Sequence, residues 1–312
     1  MSKTTSMSTI IGPEDASPGA VLRDDGAALL TVDELCVDYV GGRVPQKLIE
    51  GISFPLRQGE CLGILGESGS GKSITCKALM GLLDNDFLVR GAVRLKGEGL
   101  PLQDERVMRP KRGRQIAIIM QNPLSAFNPL FTIGEQLEET FRTHLGGSVR
   151  AGVLAADTLD RMLIKEPQRV LRCFPYQLSG GMLQRVMIGL TLALQPALIL
   201  ADEPTTALDS VTQHEVMREF VRLRQQSNGA MIFVSHDLGA LRMVADAVLV
   251  MCQGRAVEYG PAETVFNNPR HEHTRYLIET RRELTGRFAR LVGAAGAGHA
   301  LACVSEDAHV AG

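Results

Sequence analysis

From Leu29 the chain alternates apolar and polar residues through Leu-Leu-Thr-Val-Asp-Glu-Leu-Cys-Val-Asp-Tyr-Val, slips once at Asp33-Glu34, and alternates again at Ile52-Ser-Phe-Pro-Leu. A period of two marks strands with one buried face, and the slip predicts a bulge, so an antiparallel β-layer opens the chain. Cys61-Leu-Gly-Ile-Leu-Gly is a continuous apolar run, as expected of a strand buried on both faces, and a helix is predicted after it from Ser73 to Leu83. Ala92-Val-Arg-Leu-Lys-Gly reads as an edge strand and Gln115-Ile-Ala-Ile-Ile-Met as a buried one, both placed around a common sheet.

Between Asn122 and Gln177 the period becomes helical, with amphipathic segments at Ile133 to Leu145 and Val153 to Ile164, which predicts an inserted helical subdomain over about residues 122–178. Helix and strand then alternate: a helix over Gly181 to Leu194, strand Leu198 to Ala201, helix Val211 to Gln226, strand Met231 to Ser235, and a helix from Leu238. A hairpin follows, with Gln253-Gly254 between Val248-Leu-Val-Met and Ala256-Val-Glu-Tyr-Gly, then closing helices at Glu263 to Phe266 and His273 to Leu291. Such alternation predicts an α/β protein, a mainly parallel sheet with helices on both faces. One unit is expected over 29–260 and a helical extension over 261–292. The flanks 1–28 and 293–312 are rich in small and polar residues without period, a disordered arm and a flexible tail.

Composition removes several classes. The net charge of −2 offers no general attraction to nucleic acid or anionic lipid. Six scattered cysteines (Cys36, Cys61, Cys76, Cys173, Cys252, Cys303) show no paired spacing that points to zinc, a cluster or a disulfide framework. No apolar run follows Lys3, so a secretory signal is not expected and the chain is placed in the cytoplasm. The most apolar stretch, Val186 to Ala201, is cut by Gln195-Pro196, and each half falls short of the ~20 residues of a membrane span. It is expected to be a buried helix followed by a buried strand.

Gly66-Glu-Ser-Gly-Ser-Gly-Lys72-Ser73 fits the phosphate-loop pattern in a strand-loop-helix setting. Its glycines let backbone N–H groups turn toward a phosphate, Lys72 reaches the terminal phosphates, and the Ser73 hydroxyl serves a magnesium ion. Leu198-Ile-Leu-Ala-Asp202-Glu203 is an apolar strand ending in two carboxylates, Asp202 suited to the metal and Glu203 to a water attacking the γ-phosphate. Gln121 opens the helical insert and could join the γ-phosphate to a movable subdomain. Taken alone, Gln121-Asn-Pro is only a turn and His236 an ordinary strand-end histidine. Leu178-Ser-Gly-Gly-Met-Leu-Gln-Arg185 supplies a second helix N-terminus able to face a phosphate, which suggests a nucleotide shared between two subunits.

The ordered set of Tyr39, the phosphate loop, Gln121, Leu178 to Arg185, Asp202-Glu203, Ala207-Leu208-Asp209 and His236 resembles the ATP-binding cassette (ABC) ATPases across residues 29 to about 260. The resemblance implies ATP and Mg²⁺ as cofactors, with Glu203, His236 and Gln121 in catalysis and Ser73, Gln121 and Asp202 at the metal. It further implies that Tyr39 stacks on adenine and that Gly66, Glu67, Ser68, Gly69, Ser70, Gly71, Lys72 and Ser73 hold the phosphates. Ser179, Gly180, Gly181 and Gln184 would bind the nucleotide of a partner cassette, and Asp209 would line the dimer seam. No fused membrane span, long coiled-coil insert or second cassette is present, which favours a separate transport subunit over an exporter half, a repair ATPase or a translation factor.

Met120-Gln-Asn-Pro-Leu-Ser-Ala-Phe-Asn-Pro, Phe174-Pro-Tyr-Gln-Leu-Ser-Gly-Gly-Met and His271-Glu-His-Thr-Arg-Tyr-Leu-Ile resemble the dipeptide, oligopeptide and nickel import branch. Its peptide subunits usually carry Gly-Gly-Met-Arg-Gln-Arg. Here Leu183 replaces that Arg, and with Arg169-Val-Leu-Arg and a single late cysteine this is more similar to nickel or nickel-chelate subunits. The branch implies partners: a second ATPase subunit, two transmembrane permeases and an extracytoplasmic solute-binding protein. Membrane contact would then run through those partners, at the cytoplasmic face of the inner membrane. His271, His273, His299 and His309 are read as surface polar residues rather than nickel ligands.

Overall fold

The computed structural model describes residues 28–146, 150–226 and 229–281. The expected N-terminal arm and C-terminal tail lie outside these residues apart from Ala28. Strand β1 (Ala28–Tyr39) pairs antiparallel with β2 (Gln46–Arg57). The bulge stands where the alternation slips: Val32 faces Phe54 but Leu35 faces Ile52, so β1 carries one extra residue. Glu34 takes φ 49° there, its N–H donating to Ser53 Oγ at 2.8 Å.

Strand β3 (Cys61–Gly66) belongs to a second sheet, and helix α1 (Lys72–Leu79) follows the phosphate loop. This helix ends four residues before the expected Leu83. Gly81 at φ 62° donates to Ala78 O, and Leu82 N donates to Lys77 O at 2.9 Å. That pair of bonds is a Schellman stop, which an apolar pattern continuing through Leu82-Leu83 conceals.

Strand β4 (Phe87–Leu95) starts earlier than expected and is neither an edge strand nor part of a common sheet. It lies between β1 and the two-residue β5 (Glu98–Gly99) in a four-stranded antiparallel sheet, order β2-β1-β4-β5. A short helix, α2 (Glu105–Met108), then leads to β6 (Ile116–Ile119) in the other sheet.

The helical insert comprises α3 (Ile133–Leu145), α4 (Ala151–Arg161) and α5 (Pro167–Leu171). Thr132 caps α3 in a capping box with Glu135, whose carboxyl the Thr132 bonds hold below its ordinary pKa. Helix α6 (Gly180–Ala193) returns the chain to the main body. Its Leu183, Val186 and Met187 share one core with Leu137 and Phe141 of α3 and Leu159 of α4.

The remaining elements are β7 (Leu198–Asp202), α7 (Ser210–Gln226), β8 (Ala230–Val234), α8 (Leu238–Val244), β9 (Ala247–Cys252), β10 (Arg255–Pro261) and α9 (Ala262–Asn267). Residues 272–281 are helical, so the described part of the expected closing helix is present. The six-stranded sheet has the order β10-β9-β3-β8-β7-β6, with β9 through β6 parallel and β10 antiparallel at the edge. Gln253 and Gly254 turn the β9–β10 hairpin with φ 47° and 79°, the positive pair that two-residue hairpins favour.

Strands β3, β7 and β8 are buried throughout. Their side chains divide by the period of two: Leu62, Ile64, Leu198, Leu200, Ile232 and Val234 face the antiparallel sheet, while Leu65, Ile199, Met231 and Phe233 face the helices. Each such side chain contributes roughly 1.5–3 kcal/mol of burial, which fixes the register of all three strands. Consequently their carboxyl ends line one edge of the sheet, where open α/β folds place ligands.

Candidate functional site

A cavity of about 530 Å³ opens at that edge, lined by Gly66, Ser68, Gly69, Gly71, Lys72, Ser73, Ile74, Gln121, Glu203, Thr206, His236 and Arg281. The loop after β3 wraps it. Gly69 and Gly71 adopt φ 81° and 103°, and a Cβ on Gly71 would stand 2.5 Å from Ile49 Cδ1. A Cβ on Gly66 would meet Met251 O and Ser70 Oγ at 2.5 Å. The loop is therefore built around absent side chains, leaving a concavity bordered by peptide N–H groups and the start of α1.

Lys72 is buried at 6% exposure and donates from Nζ to Gly66 O at 2.9 Å and Glu67 O at 2.7 Å. Burial pushes its pKa below the ordinary lysine value; Glu203 and Asp202 oppose that shift and Arg281 adds to it. Asp202, at the end of β7, accepts from Ser73 Oγ at 3.0 Å. Burial raises the Asp202 carboxyl, and the Ser73 bond partly offsets this. A hydroxyl and a carboxylate meeting beside a phosphate cradle form a hard-oxygen donor pair suited to Mg²⁺.

Glu203 follows at φ 46°, a left-handed conformation that costs about 1–2 kcal/mol for a residue with a Cβ. Its N–H donates to Val234 O at 3.0 Å, which ties this strained residue to β8. Oε2 accepts from Gln121 Nε2 at 3.3 Å and Thr206 Oγ1 at 3.2 Å, and His236 Nδ1 lies 3.2 Å from the same oxygen. Residues from the ends of β6, β7 and β8 thus converge on one carboxylate oxygen.

The segment from strand β2 through this site decides the family, since residues 49–206 match the family model described as ABC transporter. The chain belongs to the ABC transporter family. The cassette is 41% identical over 265 residues to the metal-staphylopine import system ATP-binding protein CntD of Staphylococcus aureus, covering 85% of this chain and 97% of that relative. It is 39% identical over 272 residues to the dipeptide transport ATP-binding protein DppD of Escherichia coli, covering 86% of this chain and 83% of the relative. Among solved structures, a dimeric ATP-binding cassette in a post-hydrolysis state with ADP and Pi superimposes with a TM-score of 0.67 at 25% identity, covering 75% of this chain and 98% of that one.

Several expected residues stand apart from the cavity. Tyr39 is half-buried and packs its ring on Phe87 with centroids 5.3 Å apart. Within the loop, Glu67 and Ser70 contribute through backbone, the Ser70 N–H donating to Glu67 O at 3.1 Å. Ser179 caps α6, accepting from Met182 N at 3.3 Å, and neither it nor Gly180 and Gly181 lines this chain's own cavity. Gly181 instead adjoins the next turn, where its Cβ would lie 3.3 Å from Ala207 O. Asp209 caps α7, accepting from Thr212 Oγ1 at 2.7 Å and Thr212 N at 3.0 Å, and these bonds lower its pKa.

Gln184, expected at a partner's nucleotide, is 0% exposed in this chain, and its Nε2 donates to the main-chain carbonyls of Pro204 and Met120. Conversely, Thr206 and Arg281 line the cavity without having been singled out as site residues. Thr206 lies inside Pro204-Thr-Thr-Ala-Leu-Asp, three residues beyond the carboxylate it contacts, and was legible from that spacing. Arg281 comes from the distant closing helix, for which the sequence held no signal.

Proposed function

We propose that this chain is the ATP-hydrolysing subunit of a binding-protein-dependent importer, working beside a second cassette, two permeases and an extracytoplasmic solute-binding protein at the cytoplasmic face of the membrane. The single observation that carries the reading is the convergence of Lys72, Ser73, Glu203, Gln121 and His236 on one cavity, with Asp202 bonded to Ser73 beside it. Among the described residues no helix is long and apolar enough to cross a membrane, so a pore would be built by partners.

The loop glycines and Lys72 bind and orient the β- and γ-phosphates. Ser73 and Asp202 would hold Mg²⁺, which when bound neutralises phosphate charge. Glu203 accepts a proton of the attacking water as the water oxygen adds to the γ-phosphorus, and the bond from that phosphorus to the bridging oxygen breaks, ADP leaving with the oxygen and the electron pair. Gln121 and His236 keep the Glu203 carboxylate in place through Oε2. The partner's signature segment closes over the same phosphates, and this chain's Ser179, Gly180 and Gly181 do so for the partner's nucleotide.

Immediately after Gln121 the helical insert exposes Leu124, Leu130 and Phe131 at 55%, 78% and 49%. Exposed apolar side chains close in sequence to Gln121 fit a permease contact. For the cargo, we favour a metal chelate, nickel included: Leu183 departs from the peptide-subunit pattern, and CntD is named for metal-staphylopine import. The similarity to DppD favours a dipeptide as the second reading. Uptake of radiolabelled nickel chelate and of a labelled dipeptide in cells with and without this chain separates them. Lost metal uptake supports the first reading; unchanged metal uptake with lost dipeptide uptake replaces it with the second.

A further inference from the structure

Gln184 lies in the first turns of α6, five residues beyond the capping Ser179, at zero exposure. Its Nε2 donates to Pro204 O at 2.7 Å and to Met120 O at 3.3 Å. Pro204 directly follows Glu203, and Met120 directly precedes Gln121. The amide orientation is dictated chemically, because two carbonyl oxygens can only accept and an Oε1 turned toward them would repel. Next along the helix, Arg185 donates from Nη1 to Leu163 O at 3.1 Å and Met162 O at 3.4 Å, at the end of α4 in the helical insert.

We propose that Gln184 is a positioning residue for hydrolysis: it fastens the signature helix to the main chain beside Glu203 and beside Gln121, so that the helical insert and the catalytic carboxylate move as one. The proposal rests on the catalytic reading of Glu203 given above.

The physical argument is one of connectivity. Glu203 sits in a strained left-handed conformation, and its carboxylate depends on Gln121 across 3.3 Å. The two residues come from different strands, and a shift of either peptide changes that distance. One buried amide bonded to the carbonyls on both sides fixes their spacing, and buried bonds of this kind are costly to break because the carbonyls would be left unpaired. Arg185 gives the same helix a hold on the α4 end, so displacement of the insert reaches the carboxylate through a single rigid element. The sheet strands alone do not supply this link, since α6 is the element that carries the signature segment.

The test uses the purified full-length chain with its transporter partners. Gln184→Met keeps the side-chain length and removes both donors. Steady-state kcat is expected to fall about 10²-fold, the cost of a small misplacement of reacting groups. Titration with a fluorescent ATP analogue should give a Kd within about twofold of wild type, since binding and turnover report different steps. Gln184→His, whose Nε2–H has a similar reach, should recover most of the rate. In a Glu203→Gln background the Gln184→Met change should cost almost nothing further, because both act on one group.

A Gln184→Met protein with wild-type kcat overturns the proposal. So does a further loss in the Glu203→Gln background as large as the loss in wild type, which would mark a merely structural role. Should Gln184→Met fail to fold, Gln184→Leu, which also removes both donors without adding a charge, carries the same comparison, with the same two results decisive. If Glu203→Gln itself retains full turnover, the catalytic reading fails instead, and the two failures are distinct.

Discussion

The Nδ1 atom of His236 stands 3.2 Å from Oε2 of Glu203, on the oxygen that also accepts from Gln121 and Thr206. Among the described residues no hydrogen bond falls on Oε1, which on the proposed reading receives the proton from water. Glu203→Gln should keep ATP binding while lowering kcat by about 10²–10⁴-fold, the range of a general base. Phosphate release by the purified complex, beside an ATP-binding titration, checks both halves; normal turnover would remove Glu203 from the role.

Loss of Lys72 acts earlier. Its ammonium is held within the loop by Gly66 O and Glu67 O, so it is already placed for a polyanion. Lys72→Ala should abolish measurable nucleotide binding at micromolar ATP while the unfolding temperature of the apo-protein stays equal or rises. Tight ATP binding by the variant would contradict the assignment.

Asp202 gives a prediction with a pH sign. Burial raises its carboxyl above the ordinary value, so the folded chain holds this proton more tightly than the unfolded one. Its unfavourable contribution is absent at low pH and grows as pH rises through the ordinary carboxylate range, near about pH 4. Asp202→Asn should therefore raise the Tm of the apo-protein at neutral pH, with the difference closing on acidification. Stabilisation by ATP with Mg²⁺ should vanish in the same variant. A variant less stable than wild type at neutral pH would show that the Ser73 bond outweighs burial.

Leu183 is fully buried in the core that α6 shares with the helical insert. It cannot touch a transported solute. Leu183→Ala should cost about 2–5 kcal/mol by denaturant unfolding, as buried leucines do, without changing which solute stimulates the ATPase. A switch of cargo in that variant would give the position a role that its burial does not suggest.

Much of the fold was readable because local rules agreed with one another. The bulge at Asp33-Glu34, the Ile133 to Leu145 helix and the Gln253-Gly254 turn follow from period and turn chemistry alone. The early stop of α1 was hidden, because Gly81 ends the helix while the apolar pattern runs on. The placement of β4 was hidden for another reason: alternation tells which face of a strand is buried but not which neighbour it pairs with.

The site divides the same way. Lys72 and Ser73 open α1 after the Gly-rich loop, and Asp202 and Glu203 stand at the end of β7, positions that the spacing of the motifs already marks. Sequence by itself determined the residue types, their spacing and the family they resemble. Only the tertiary structure decided that three strand ends bring Gln121, Thr206 and His236 to one oxygen of Glu203, that Arg281 reaches the cavity, and that Gln184 faces two main-chain carbonyls. The reason is physical: burial and hydrogen-bond partners depend on contacts between segments far apart in the chain, and no local pattern encodes which carbonyl a side chain will meet.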